Sequence, residues 1–218
     1  MNIYFKYDLE KDILNHRIIA EASFKGGPSR IQGFFKQKYG DDFTDKNIHQ
    51  FIKGLLFSYY KIDDPNEVAI KFQKMWNNVH SEFTKKAKKI FGITLEGDII
   101  VYLTTNDRSG LSIKDNFFFV NIGKKSPLLT AMHELIHFYT YYKSKDRAKE
   151  LDLSDKEYYD IKESLTEMLN LEFEDLLVGA KDGGYKGHEN LRELVKQEWN
   201  QSKDIEKVFK RLAKVIRG

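Results

Sequence analysis

The five residues His133-Glu134-Leu135-Ile136-His137 form an HExxH pattern, with two histidines four positions apart and a glutamate directly after the first. Residues four apart on a helix lie one turn above each other on the same face, so both imidazoles can reach one point in space. This arrangement suits zinc, which takes imidazole nitrogen ligands at about 2.0–2.1 Å. Glu134 is then placed to act as a general base toward a water molecule at the metal. The pattern therefore predicts a zinc-dependent hydrolytic site.

The surrounding residues predict that the pattern lies on a helix spanning residues 127 to about 143. Ser126 is a favourable N-cap, and proline, here Pro127, is favoured at the first helical position. Apolar residues then recur every three or four positions, as on a helix that packs against a core: Leu128, Ala131, Met132, Leu135, Phe138, Tyr139 and Tyr142. The alternative interpretation is two core histidines with a surface glutamate between them. Buried histidines need polar partners, however, and this segment offers few.

A catalytic zinc site needs a third protein ligand and an open coordination position. The chain has no cysteine, and His188 is the only histidine after the pattern, so a carboxylate on another element is expected. Glu163 and Glu167 are four apart in a second predicted helix, which begins with a capping box at Ser154 and ends near Gly179. We expect Glu163 to bind the metal and Glu167 to accept the free ring N–H of a ligand histidine. The alternative is two solvated acids on an amphipathic helix.

Further candidates are less specific. Glu167 is expected to contact His133 in particular, and Asp182 or His188 is the alternative third ligand. A hydrolytic site also needs a donor that stabilises the oxyanion of the tetrahedral intermediate. His188 is the first choice and Tyr185 the second, because both lie in the glycine-rich stretch DGGYKGHEN that follows the predicted third-ligand helix. Two other tyrosines, Tyr158 and Tyr159, are further candidates. Each of the four side chains could equally be an ordinary surface or core residue.

These residues resemble the gluzincin metallopeptidases, the thermolysin-like group of zincins. In that family HExxH lies on an active-site helix, the third ligand is a glutamate on a following helix, and an acidic residue often stands four positions later. The stretch HELIHF matches the first part and ESLTE the second, with Glu167 where the thermolysin-like pattern has aspartate. The resemblance covers about residues 65–178, and the small size is similar to the minimal gluzincins. It implies a zinc metallopeptidase with one zinc ion bound by His133, His137 and Glu163.

The order of predicted elements favours an α+β, zincin-like fold. It consists of a small twisted sheet with a backing helix, the HExxH helix, the third-ligand helix and a mostly helical C-terminal half. The run at residues 117–120 is too apolar for an exposed edge and should be a central strand, with the sheet edge near residues 110–113. Residues 13–24 are ambiguous, and Gly26-Gly27-Pro28 marks a break. The remaining predicted elements are strands at 2–7, 93–96, 98–105 and 116–122 and helices at 30–38, 48–60 and, from an Asp64 N-cap, 65–92.

We expect a single zincin-like domain over residues 1–218. Within it, residues 1–62 are a mainly helical N-terminal extension, residues 63–178 the catalytic core and residues 179–218 a C-terminal helical segment. Apolar residues in the basic stretch 203–217 recur at helical spacing, which predicts a terminal helix docked on the body. A helix that contacts a membrane surface or a nucleic acid is the alternative.

Composition narrows the class of protein. With 36 basic and 33 acidic residues the net charge is +3, too balanced to predict nucleic-acid binding. No stretch approaches the roughly 20 apolar residues of a membrane span, and no secretory signal is visible, so a cytoplasmic protein is expected. The resemblance to the gluzincins implies that its substrates are peptides or proteins. Two alternatives remain: a catalytically silent zincin-fold binding or regulatory module, and a DNA-linked module that uses the basic terminal helix. The oligomeric state is not predicted.

Overall fold

The computed structural model describes residues 1–21 and 29–218. The predicted break at residues 26–28, and the end of the ambiguous segment 13–24, lie outside the described residues. These residues form two compact units: Met1–Trp76 with Gly97–Pro127, and Asn77–Glu96 with Leu128–Gly218. The architecture is α+β, helical with one small mixed sheet. The expectation of one zincin-like domain stays a prediction.

The first unit contains a sheet of four strands: β1 (Asn2–Tyr7), β2 (Asp98–Thr104), β3 (Leu111–Ser112) and β4 (Phe117–Asn121). Their order is β1-β2-β4-β3, with β1, β2 and β4 parallel and β3 antiparallel to β4. The predicted central strand and the predicted edge are both confirmed, because β4 lies between β2 and β3. Burial of residues 118–120 on both faces explains why their sequence is uniformly apolar rather than alternating.

The strand predicted at residues 93–96 is wrong. This segment is irregular, and Gly97 follows it with a left-handed φ of 74°. Pairing of β1 with β2 begins only at Asn2 and Asp98, and no strand among the described residues lies beside the earlier segment. Apolar residues there reflect burial, as at Leu95, rather than a ladder of backbone hydrogen bonds.

Three helices of the first unit follow β1: α1 (Leu9–Glu21), α2 (Arg30–Tyr39) and α3 (Asp45–Gly54). The helix predicted at 30–38 is confirmed. The one predicted at 48–60 continues from α3 as a π-helical stretch, Leu55–Tyr60. Ser29 begins α2 with a capping box and Thr44 caps α3, which satisfies backbone N–H groups at both helix starts. The apolar faces meet in one cluster: Ile13, Ile31, Phe35, Ile48, Phe51, Ile52 and Leu55.

Helix α4 (Pro65–Phe91) contributes residues to both units, and α5 (Pro127–Glu150) carries the HExxH pattern. In the second unit Phe91 stacks on Tyr139 of α5 at 5.3 Å between ring centroids, so the end of α4 backs the HExxH helix. Helix α5 is longer than predicted. The polar residues beyond 143 interrupt the apolar pattern but include good helix formers and no stop signal.

The predicted third-ligand helix is broken into four pieces. The Ser154 capping box begins α6 (Asp155–Ser164) as expected, but a 3₁₀ turn, Leu165–Glu167, follows directly. Then come α7 (Met168–Glu172) and a second 3₁₀ turn, Glu174–Leu176. At the first break the Thr166 hydroxyl donates to the Glu163 carbonyl oxygen at 2.7 Å, a local side-chain bond that competes with the α-helical ladder.

Two further helices complete the second unit, α8 (Glu189–Ser202) and α9 (Ile205–Arg217). The predicted terminal helix is confirmed as α9: Phe209 packs on Tyr158 of α6, with ring centroids 6.5 Å apart. Asp204 caps its start by accepting from the backbone N–H groups of Glu206 and Lys207. Among the described residues, none of the helices combines the length and apolar character needed to cross a membrane.

Candidate metal centre

Three side chains of the second unit converge: His133 and His137 from α5 and Glu163 from the last turn of α6. One ligand atom from each lies within 4.8 Å of the others. Glu163 Oε2 is 3.5 Å from His133 Nε2 and 3.4 Å from His137 Nε2. His137 is 2% exposed and Glu163 4%, so the group is largely shielded from solvent.

These separations fit a metal ion. Two ligand atoms at about 2.0–2.1 Å from a tetrahedral ion are about 3.3 Å apart, close to the observed 3.4 and 3.5 Å. Glu163 Oε2 is also buried without a well-aligned hydrogen bond in the described part of the chain. A buried carboxylate oxygen left in this way is costly, and a cation between the three atoms would satisfy it. The three residues could therefore hold a metal ion.

The charge states of the histidines differ because their neighbours differ. Burial, with the nearby charge of Lys162, lowers the pKa of His137 to about 3, so its ring is neutral at pH 7, the form that binds metals. Desolvation also acts to lower the pKa of His133, but the hydrogen bond to Asp182 and the nearby negative charge of Glu163 outweigh it and raise that pKa to about 10. His133 Nδ1 donates to Asp182 Oδ2 at 2.6 Å. This bond keeps a proton on Nδ1 and orients Nε2 toward Glu163 and His137, and binding of a cation at Nε2 would displace the proton on that nitrogen.

Asp182 is held in place by several donors. The Arg192 guanidinium donates to Asp182 Oδ1 at 2.9 Å, and the Gly184 backbone N–H donates to the same oxygen at 3.1 Å. Asn170 bonds both backbone groups of Asp182, at 2.9 Å each. Although desolvation raises the pKa of Asp182, His133 and Arg192 hold it below its usual range. The aspartate that orients His133 is therefore ionised and fixed in position.

The structure corrects the expected position of Glu167. Its carboxylate does not contact His133 but pairs with Arg192 Nη2 at 2.6 Å and accepts from Asn170 at 3.1 Å. The cause is the 3₁₀ turn after Ser164, which removes Glu167 from the helical face of Glu163. Asp182 takes the contact with His133 instead, on the Nδ1 side of the ring. It is therefore not one of the three converging ligand residues.

Glu134, the expected general base, lies next to His133 and is partly exposed. Burial of its carboxyl raises its pKa to about 7, against the opposing charges of His133 and Lys162. A carboxyl group that titrates near neutral pH can both accept and return a proton at pH 7, as general acid–base catalysis requires.

Lys162 is a charged neighbour that the sequence analysis missed. Its Nζ lies 3.2 Å from Glu163 Oε1 and 5.3 Å from the centre of the Tyr159 ring. Its positive charge acts to lower the pKa of Glu134, His137 and Glu163. Lysine at this position belongs to no motif, so only the fold reveals its place. Arg192 was missed too, although it interrupts the buried side of α8 that Val195 and Trp199 form.

The four expected oxyanion donors occupy different positions. His188 Nε2 lies 3.0 Å from Asp160 Oδ1, and the half-exposed Tyr185 packs edge-on against the His188 ring. Burial, with the negative charges of Glu163, Asp160 and Glu134, raises the pKa of Tyr159 to about 12, so this tyrosine faces the acidic side of the group. Tyr158 instead faces α9. The roles of His188 and Tyr185 stay predictions.

No family model, curated protein or solved structure matches this chain. The evidence for the site is therefore its own geometry and charge. Three shielded ligand atoms converge, one ligand histidine is held by a fixed aspartate, and a carboxyl group that titrates near neutrality lies beside them.

Proposed function

We propose that this protein is a zinc-dependent metallopeptidase with a zincin-like fold, as its resemblance to the gluzincins implies. The observation that carries the proposal is the convergence of His133, His137 and Glu163 with Glu134 beside them. Two imidazoles and one carboxylate without a thiolate are a usual donor set of catalytic zinc sites, which keep a fourth position for water or substrate. The order of backing helix, sheet strands, HExxH helix and third-ligand helix supports the same proposal.

In the proposed reaction, His133, His137 and Glu163 would hold one zinc ion. When bound, zinc supplies a Lewis acid that polarises the peptide carbonyl and increases the acidity of water. The Glu134 carboxylate accepts a proton from the attacking water and passes it to the nitrogen of the leaving amine. Asp182 keeps the His133 ring in the tautomer that presents Nε2 to the site. The substrate is a peptide or protein.

Lys162 is a candidate for stabilising negative charge on the tetrahedral intermediate. Its ammonium group is mostly buried and contacts Glu163. A fixed positive charge in a largely shielded site stabilises a developing oxyanion more strongly than one in water. His188 and Tyr185 remain alternatives for this role.

The test compares Glu134→Gln with the wild-type protein in a mixed-peptide cleavage assay, with zinc content measured on both. We expect the variant to retain one zinc per chain and to lose about 10²–10⁴-fold in kcat, because an amide cannot accept the proton. Glu150→Gln is the matched control, since Glu150 lies at the exposed end of the same helix, and it should cleave as the wild type does.

Two outcomes would contradict the proposal. Cleavage by Glu134→Gln at the wild-type rate would show that Glu134 is not the base. Zinc-loaded wild-type protein that cleaves no peptide would favour the catalytically silent zincin-fold binding or regulatory module.

A further inference from the structure

The two carboxylate oxygens of Glu163 have different surroundings. Oε2 faces the imidazoles, at 3.5 Å from His133 Nε2 and 3.4 Å from His137 Nε2. Oε1 lies instead 3.2 Å from the ammonium nitrogen of Lys162. A glutamate carboxylate can bind a metal ion through one oxygen or through both. Which of the two modes Glu163 adopts therefore depends on whether Oε1 is free to turn toward the ion.

Lys162 is kept beside Oε1 by its other contact. Its side chain is 16% exposed, and its Nζ lies 5.3 Å from the centre of the Tyr159 ring, within the range of a cation–π interaction. Lys162 and Tyr159 are three positions apart on α6 and are therefore neighbours on its surface. A fully exposed lysine loses most of the energy of an ion pair to solvent screening and side-chain entropy. This lysine is restrained, so its pair with Glu163 is less easily lost.

The nearby arginine serves other carboxylates. Arg192 pairs with Asp182 Oδ1 at 2.9 Å and with Glu167 Oε2 at 2.6 Å. Of the residues that the structure describes, Lys162 is the lysine or arginine with an ion pair to Glu163. The state of Oε1 therefore depends on this one side chain.

We propose that Lys162 is a positioning residue that confines Glu163 to binding the metal through Oε2 alone. This inference rests on the proposed function, because it takes His133, His137 and Glu163 as the ligands. With Oε1 held by the ammonium group, one more coordination position stays available for water or a peptide carbonyl. The same positive charge repels a cation, so an open site is kept at the expense of metal affinity. The contact is present without substrate, which separates this role from stabilisation of charge on the intermediate.

The experiment titrates the metal-free full chain with cobalt(II) and compares the wild type with Lys162→Met, which has a side chain of similar length without the charge. Cobalt(II) reports coordination number, because its visible bands are stronger in four-coordinate than in five-coordinate sites. In Lys162→Met the freed Oε1 adds a ligand, so the visible absorption per bound cobalt should fall to about half of the wild-type value or below. Zinc affinity, measured by competition with a chromogenic chelator, should rise about three- to tenfold because a like charge is removed. Damage to the fold would instead weaken zinc binding.

Two further variants serve as controls. Lys162→Arg keeps the positive charge beside Oε1, and its cobalt spectrum should stay close to that of the wild type. Lys156→Met removes a lysine from the exposed side of the same helix, where it pairs with Asp160, and should change neither the cobalt spectrum nor the zinc affinity. Circular dichroism checks the fold of each variant, and Lys162→Gln, with the same expected results, replaces Lys162→Met if the latter does not fold.

The outcomes separate this inference from the peptidase. Equal cobalt spectra of Lys162→Met and the wild type would overturn it, and so would weaker zinc binding in Lys162→Met. A wild type that binds no cobalt would overturn it together with the metal centre. A wild type that binds cobalt and differs from Lys162→Met as expected, but cleaves no peptide, would support the role of Lys162 and contradict the peptidase alone.

Discussion

His16 in the first unit and His137 in the second are both buried histidines near a carboxylate, yet their ring nitrogens have different partners. Asn106 Nδ2 donates to His16 Nδ1 at 3.3 Å, and His16 Nε2 lies 2.9 Å from Thr105 Oγ1. In the second unit His137 Nδ1 has no hydrogen-bond partner within the described chain, and His137 Nε2 faces the unpartnered Glu163 Oε2. Both ring nitrogens of His16 therefore have polar partners in the protein, whereas those of His137 have no hydrogen bond within the described chain.

The carboxylates differ in the same way. Asp12 accepts from the Thr104 hydroxyl at 2.6 Å and from the Thr105 backbone N–H at 2.9 and 3.1 Å, which joins α1 to the end of β2. Glu163 instead turns one oxygen toward two imidazoles without a good hydrogen bond. A polar group satisfied in this way stabilises a fold, while convergent unsatisfied atoms indicate a ligand.

Shifted pKa values alone would not separate the two sites. Burial lowers the pKa of His16 to about 4 and that of His137 to about 3, and both rings are neutral at pH 7. Desolvation acts on any buried histidine regardless of role. The comparison teaches that the hydrogen-bond partners of each atom, rather than the titration of each residue, distinguish the candidate metal site from the hydrogen-bonded network around Asp12.

The largest expected effect is that of removing Glu163. Glu163→Ala should weaken zinc binding on the order of 10³-fold, because a four-ligand zinc site is worth about 10–16 kcal/mol in total and one ligand a substantial share of that. Zinc affinity is measured by competition with a chromogenic chelator. Glu150→Ala, at the exposed end of α5, is the control. Unaltered zinc affinity in Glu163→Ala would show that Glu163 and the two histidines do not form a metal centre.

The next largest effect is expected at Asp12, whose carboxylate accepts hydrogen bonds from Thr104 and Thr105. Burial raises the pKa of Asp12 to about 6, although hydrogen bonds from Thr104 and Thr105 oppose the shift. The folded state therefore binds the Asp12 proton more tightly than the unfolded state does. Ionisation of this carboxyl consequently lowers the free energy of unfolding as the pH rises from about 4 to about 6. Asp12→Asn has no such dependence. Relative to wild type its free energy of unfolding should increase by about 3 kcal/mol across that window.

Hydrogen exchange of the β2 amides, measured at several pH values, tests this difference. His16 and Tyr7 are the titratable side chains in contact with Asp12, and both are present in the variant and in the wild type. A difference that stays constant from pH 4 to pH 6 would mean that Asp12 does not titrate in this range.

A smaller effect is expected from Asp182→Asn. The amide can still accept from His133 Nδ1 but carries no charge, so we expect zinc affinity to fall about 10–100-fold. The same chelator competition measures it, and circular dichroism checks that the fold is kept. Affinity equal to wild type would leave the 2.6 Å contact between His133 and Asp182 without a role at the metal.

The smallest effect should be that of Glu167→Gln. Glu167 acts on His133 only through Arg192, which Asp182 also holds, so a change of about fivefold or less in zinc affinity is expected. This ranking is opposite to the one that the sequence suggests. A larger loss for Glu167→Gln than for Asp182→Asn, in parallel titrations, would restore Glu167 as the closer partner of the histidine.

The spacing of residues along one helix was enough to predict that the two histidine side chains converge. Residues four apart on a helix share a face whatever surrounds the helix, so His133 and His137 had to point together once their segment was helical. The absence of cysteine and the acidic pair at 163 and 167 predicted a carboxylate as third ligand, with Glu163 favoured and Asp182 as the alternative, and the structure groups Glu163 with the two histidines. The apolar run at residues 117–120 likewise predicted a strand with neighbours on both sides.

Only the tertiary structure decided which side chains contact these candidate ligands. Asp182 reaches His133 across 49 positions of sequence, and no periodicity relates them. The 3₁₀ turn that displaces Glu167 depends on a threonine hydroxyl bonding back to the chain, which an apolar pattern does not report. Lys162 was missed for a similar reason, since its charge matters only because Glu134 and His137 lie near it. Spacing along one element is a local property of the backbone, whereas contacts between elements arise from packing that the whole chain determines.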